Sequence, residues 1–161
     1  MTLEAPNKFY SYNNIGVTFF LAGTIDNGSS IDWQKEISDY ADEINVTVFN
    51  PRRSKWNPSS DGKEIETQIE WELEHMERAD YIIMNILENS KSPISLLELG
   101  LHARDGKLIV FCPKNFYRYD NIKVTCETYG IKLFSMDSYR NTIDEIKLLI
   151  LERKNANRGK S

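Results

Sequence analysis

Apolar and polar positions alternate between two periods along the chain. Four short runs, GVTFFLA (16–22), VTVFN (46–50), YIIMNIL (81–87) and KLIVFC (107–112), are dense in β-branched and aromatic residues. That is the pattern of strands buried on both faces of a parallel sheet. A weaker run, IKLFSM (131–136), predicts a fifth strand. Between the strands the pattern shifts to a helical period, over about 31–41, 63–78, 93–103, 122–129 and 139–154. In the first of these helices Ser29 or Ser30 is the expected cap, with Ile31, Ile37 and Tyr40 among the inward positions. The stretch NPRRSKWNPSSDG, with two prolines, three serines and a glycine, reads as a loop.

Strands alternating with helices imply a parallel sheet covered on both faces. The expected fold is therefore an α/β, single-domain, flavodoxin-like (Rossmann-like) three-layer sandwich with a five-stranded parallel sheet. It would span residues 16–154, after an N-terminal extension (1–15) and before a disordered tail (155–161). Such sheets bind ligands at the carboxyl ends of their strands. The loops following Ala22, Asn50, Leu87 and Cys112 are thus the places to look for chemistry. The first strand is not followed by a GxGxxG or GxxxxGK[ST] phosphate loop.

One helix in that set carries an anomaly. In SPISLLELG (92–100), Glu98 stands among leucines and isoleucines, yet Lys91, Ser95, Glu98, His102 and Asp105 form one polar stripe. A solvated glutamate is the plain reading. The preceding helix has a second odd glutamate. With Ile65 at zero on the wheel, Ile69, Leu73, Met76 and Ala79 fall within an arc of roughly −40° to +80°, which predicts the buried face. Glu72 falls inside that arc, near −20°, with Gln68 at its margin. A carboxylate there must be hydrogen-bonded, or lie where the stripe meets a pocket, because an unpartnered buried charge is costly. Two carboxylates meeting at the mouth of a sheet suggest glycosyl chemistry, one attacking the anomeric carbon while the other assists. In the same loop Ser92 is a good N-cap, Pro93 suits the first helical position, and Ser95 follows. That turn is either a plain cap or a site for an anion such as phosphate.

Composition narrows the classes. The chain has 161 residues, 40% hydrophobic and 27% charged, and no apolar run approaches the roughly 20 residues of a membrane span. Its first segment, MTLEAPNKFYSYNN, lacks the basic start and apolar middle of a signal peptide, so a cytoplasmic setting is expected. Cys112 and Cys126 have no CxxC spacing and read as reduced, packed thiols. With His75 and His102 the only histidines, a histidine-built metal centre is not expected. A net charge of −4 and a pI near 5.3 argue against a nucleic-acid polymer as partner.

With FFLAGTI, DWQ (32–34), FNPRR (49–53), QIEWE (68–72), ADYIIM (79–84) and SPISLLELG in that order, the chain resembles the nucleoside 2-deoxyribosyltransferase-like family over about residues 17–135. The resemblance implies that Glu98, of the ELG motif, is the nucleophile that attacks C1′ of a deoxyribose. It implies that Glu72, eight positions before Asp80, contacts the sugar or assists the leaving base. It also implies a dimer or higher homo-oligomer, a deoxynucleoside or deoxynucleotide as small-molecule substrate, and no metal or organic cofactor. Classical transferases have an aspartate six residues before the nucleophile where this chain has Ser92. A serine there looks like the branch that hydrolyses nucleoside 5′-monophosphates, in which such hydroxyls hold the phosphate. Gly23 and Thr24 would line the sugar pocket, and Gly23 would let the backbone approach closely. Asn50 and Arg52 are candidates for recognising base or phosphate, or else parts of a structural turn. Trp56 is a candidate for stacking on a base, or else a packed tryptophan.

Overall fold

A computed structural model of the chain describes residues 1–7, 16–54 and 62–158, the side chain of residue 27 excepted. In chain order the elements are β1 (Thr2–Glu4), β2 (Thr18–Gly23), α1 (Trp33–Glu43), β3 (Thr47–Asn50), α2 (Gly62–Arg78) and β4 (Tyr81–Asn85). They continue with α3 (Pro93–His102), β5 (Leu108–Phe111), α4 (Tyr119–Tyr129), β6 (Lys132–Phe134) and α5 (Tyr139–Arg158). The sheet order is β1-β3-β2-β4-β5-β6 and every pairing is parallel. Leaving out β1, this is the doubly wound flavodoxin-like order.

The sheet has six strands where the sequence pattern predicts five. The additional one, β1, lies in the expected N-terminal extension and pairs with β3, Thr2 opposite Val48 and Glu4 opposite Asn50. Three residues, each half-buried, carry too little hydrophobic signal to stand out from sequence, and this strand is made by its backbone ladder. At the other end, α5 continues to Arg158, past the expected start of the tail.

Alternate residues of the strands feed two cores. Phe20, Ala22, Ile82, Met84 and Val110 face α2, α3 and α4, while Phe19, Leu21, Ile83, Ile109 and Phe111 face α1 and α5. Helix α1 begins two residues later than the pattern predicts. Asp32, not Ser29 or Ser30, caps it by accepting the Lys35 N–H at 3.0 Å, and Ile31 is left exposed. Its inward face is Trp33, Gln34, Ile37, Ser38 and Ala41, with Tyr40 half-buried at the margin.

Helix α2 is turned by about a quarter of a revolution from the wheel prediction. Its buried residues are Gln68, Trp71, His75 and Met76, whereas Ile65, Ile69 and Leu73 are exposed. The aromatic rings decide this orientation. Trp71 and His75 stack at 4.0 Å between ring centroids, and Phe20 and Phe49 of the sheet pack against them. This orientation takes both rings out of water and gives them aromatic neighbours on the sheet.

Candidate active site

The order of the sheet reverses between β2 and β4, the switch point at which open α/β sheets hold ligands. A cavity of about 350 Å³ opens there. Residues after β2 (Gly23, Ile25, Asp26), after β3 (Arg52, Arg53), on α2 (Gln68, Glu72) and at the start of α3 (Ser92, Ser95, Glu98) line it.

The glycine that ends β2 is set by backbone contact. Gly23 has φ +126°, and a Cβ there would come within 2.1 Å of the Asn85 carbonyl oxygen on β4. No side chain is compatible with that approach. The close neighbour expected of Gly23 is thus the adjacent strand, although Gly23 also lines the cavity. Thr24, by contrast, turns into the protein. Its hydroxyl accepts the Leu87 N–H at 2.9 Å and meets Ser92 Oγ at 2.7 Å and Ser90 Oγ at 3.1 Å. Its carbonyl accepts Trp33 Nε1 at 3.0 Å and Gln34 Nε2 at 3.1 Å. The DWQ motif is therefore a clamp: Asp32 caps α1 while Trp33 and Gln34 hold the loop after β2.

FNPRR is likewise a built turn. Asn50 accepts the Arg52 N–H at 2.9 Å and is not among the cavity's lining residues. Arg52 is buried, and its guanidinium donates to the carbonyls of Gly28, Ser30 and Ile31 and pairs with Asp32 at 3.5 Å. Its charge is thus engaged by the loop, while Arg52 also lines the cavity. Arg53 and Gln68 also line the cavity and escaped the sequence reading. Gln68 donates to Glu72 Oε1 at 2.6 Å and to the Pro51 carbonyl at 2.9 Å, while its own oxygen accepts Arg53 Nε at 2.6 Å. QIEWE spacing is the signal that could have found it, since residues 68 and 72 share a helix face. Trp56 lies outside the described residues.

Helix α3 is inverted relative to an ordinary surface helix. Its polar stripe faces inward, with Ser95, Glu98 and His102 only 3%, 8% and 3% exposed, while Ile94, Leu97 and Leu101 are 58%, 59% and 53% exposed. Glu98 is thus not a solvated glutamate. Ser92 precedes the helix with φ +45° and ψ +50°, and its side chain makes no cap. The hydroxyl instead joins those of Thr24 and Ser90, 2.9 Å from the latter. Among the described residues no side chain caps the first-turn N–H groups of α3, at a helix end that carries partial positive charge beside the cavity.

Two carboxylates face this one space. Burial, reinforced by the like charge of Glu72, pushes the Glu98 carboxyl up to about 8. Among the described residues none donates a hydrogen bond to it. Burial also raises Glu72, but the Gln68 hydrogen bond and the Arg53 charge oppose that rise. Mutually repelling carboxyls with different support separate into one that ionises early and one that keeps its proton near neutrality.

A family model described as nucleoside 2-deoxyribosyltransferase like matches residues 16–116. No curated protein matches the chain. Among solved structures, the 2-deoxyribosyltransferase of the psychrotolerant bacterium Bacillus psychrosaccharolyticus aligns with a TM-score of 0.52 at 19% identity, covering 73% of this chain and 99% of that one. A conserved protein of Enterococcus faecalis V583 aligns with a TM-score of 0.57 at 11% identity, covering 86% of this chain and 99% of that one. At such identities the two structures speak for the fold.

Proposed function

The chain belongs to the nucleoside 2-deoxyribosyltransferase-like family, and from that premise we propose that it cleaves the N-glycosidic bond of 2′-deoxynucleosides or their 5′-monophosphates and passes the sugar to another base. The observation that carries this reading is the burial of Glu98 beside Glu72 in the switch-point cavity. A Glu98 carboxylate oxygen attacks C1′ as the C1′–N bond breaks, and the bonding pair leaves with the base, which takes up a proton. The resulting deoxyribosyl ester is opened by a second base, with retention of configuration. Lacking an electron-withdrawing 2′-hydroxyl, a deoxy sugar reaches the oxocarbenium-like transition state more easily than a ribose does. Glu72 takes a sugar hydroxyl or assists the departing base.

A second reading, hydrolysis of deoxynucleoside 5′-monophosphates, draws support from the start of α3. Among the described residues its first-turn N–H groups carry no side-chain cap, and buried Ser95 adds a hydroxyl beside them. That combination suits a phosphate. Helices α2 and α3, which both contribute lining residues to the cavity, also carry exposed aliphatic rows (Ile65, Ile69, Leu73 and Ile94, Leu97, Leu101), which support the implied homo-oligomer, with a second copy covering them. Among the described residues no helix is long and apolar enough to cross a membrane.

Incubation with a panel of deoxynucleosides and deoxynucleotides, with and without an acceptor base, tests the proposal by chromatography. Release of free base, and a new deoxynucleoside when an acceptor is present, are the expected results. No base release from any of them, by folded protein, overturns it.

A further inference from the structure

The Gln68 carboxamide is held by three partners. Its nitrogen donates to Glu72 Oε1 at 2.6 Å and to the Pro51 carbonyl at 2.9 Å, and its oxygen accepts Arg53 Nε at 2.6 Å. A carbonyl only accepts and a guanidinium only donates, so these contacts allow one orientation of the amide, with its NH₂ toward Glu72. A fixed N–H donor favours the ionised form of the carboxyl it meets. Glu98, on the facing helix, receives no such donor among the described residues.

We propose that Gln68 is a positioning residue: its carboxamide, oriented by Pro51 and Arg53, fixes Glu72 as the ionised member of the carboxyl pair and leaves the pair's last proton on Glu98 in the empty site. The inference rests on Glu72 and Glu98 being the working pair of the proposed reaction. Other charged groups around the cavity are already engaged or peripheral. Arg52 is turned to the loop carbonyls and Asp32, Arg53 pairs with Glu64 at 3.1 Å, and Asp26 is exposed at the rim. One turn along α3 from Glu98, His102 pairs with Asp105 at 2.5 Å. Gln68 is thus the hydrogen-bond donor that distinguishes the two carboxyls, and the Arg53 charge acts on Glu72 in the same direction. An ionised Glu72 is an acceptor for a substrate hydroxyl, and Glu98 becomes a nucleophile only when it gives up its proton.

Carboxyl titration by ¹³C NMR in the absence of substrate tests this, with Glu72→Gln and Glu98→Gln assigning the signals. The wild type is expected to show a lower step from Glu72 and an upper step from Glu98. In Gln68→Met, which keeps the volume but removes the donor, the lower step should rise by about one unit, a tenfold change in proton affinity, while the upper step does not fall below its wild-type position. In a Glu72→Gln background the same Gln68→Met change should leave the Glu98 step in place, which a general loosening of α2 would not do. A lower step unmoved in folded Gln68→Met, or a Glu98 step that moves with Glu72 already gone, overturns the proposal. Should Gln68→Met not fold, Arg53→Lys carries the test, since it loses the Nε donor that orients Gln68. A smaller rise of the lower step is then expected, and no rise overturns the proposal. Because no substrate is present, failure to release any base would count against the proposed reaction alone, and an unmoved titration against the role of Gln68 alone.

Discussion

Replacing Glu98 by glutamine removes the charge from the cavity while keeping the side chain's shape. In the unfolded chain this carboxyl ionises near 4.5, whereas in the native protein it holds its proton to about 8. Between those values the native state binds more protons than the unfolded state, so stability falls as pH rises. The loss is absent below pH 4.5, grows through the window and levels off above 8. At pH 7 the two states differ over about 2.5 pH units, which at 1.36 kcal/mol per unit amounts to about 3 kcal/mol, rising to about 5 kcal/mol above pH 8. Glutamine is neutral throughout and does not incur it. Glu98→Gln should therefore match the wild type near pH 4.5 and be more stable by about 3 kcal/mol at pH 7, or roughly 6–12 °C in Tm for a chain of this size. Urea unfolding of both proteins between pH 4.5 and 8.5 measures the difference directly. The same variant should lose base release, because an amide cannot form the sugar ester. In the wild type, kcat/KM should climb with pH toward the Glu98 midpoint as the nucleophile ionises. A stability difference that is flat with pH, or greatest at the acid end, would mean that native Glu98 is ionised near pH 5 and that burial does not hold its proton.

Other expectations follow from single contacts. Ser92→Ala breaks the hydroxyl ring with Thr24 and Ser90 and should cost about 1 kcal/mol in urea melts, affecting a deoxynucleoside and its monophosphate alike. Ser95→Ala should lower kcat/KM for the monophosphate more than for the nucleoside if α3 cradles a phosphate, and an equal loss would remove that second reading. Burial lowers the pKa of His75, so the native protein takes up fewer protons than the unfolded chain. Stability should fall as pH drops below about 6.5, with the His75 ring titrating below that value by NMR. Leu97→Glu, on the exposed row of α3, should shift sedimentation toward the monomer without lowering monomer stability, whereas an unchanged sedimentation coefficient would place the interface elsewhere.

The parts of the fold legible in the sequence are those whose burial is symmetric. Strands β2 to β5 are covered on both faces and read as unbroken apolar runs, so their places along the chain and the parallel, helix-covered sheet follow from composition and spacing. Helices α2 and α3 were legible in extent but not in orientation, and that is where the site lies. A helical wheel assumes that aliphatic residues face the core. Here Trp71 and His75 claim the core side of α2, and Ser95, Glu98 and His102 claim that of α3, leaving both aliphatic rows outside. The anomaly of Glu98 was visible as a polar stripe, but its sign was not, since a polar stripe facing water and one facing a cavity have the same period. Glu72 was legible because it broke its own helix's pattern. The misjudged angle of α2 still left it at the boundary between buried and exposed faces, where it meets the cavity. Thr24, Asn50 and Arg52 hold the loops they sit in, and of the three Arg52 also lines the cavity; the bonds that fix Thr24 and Arg52 reach across 10 to 68 residues of chain. No local pattern encodes such partners. The quarter-turn of α2 and the inversion of α3 also join two features that a wheel keeps apart: turning polar groups into the cavity turns leucines and isoleucines out, so the helix pair that builds this site also presents exposed apolar rows.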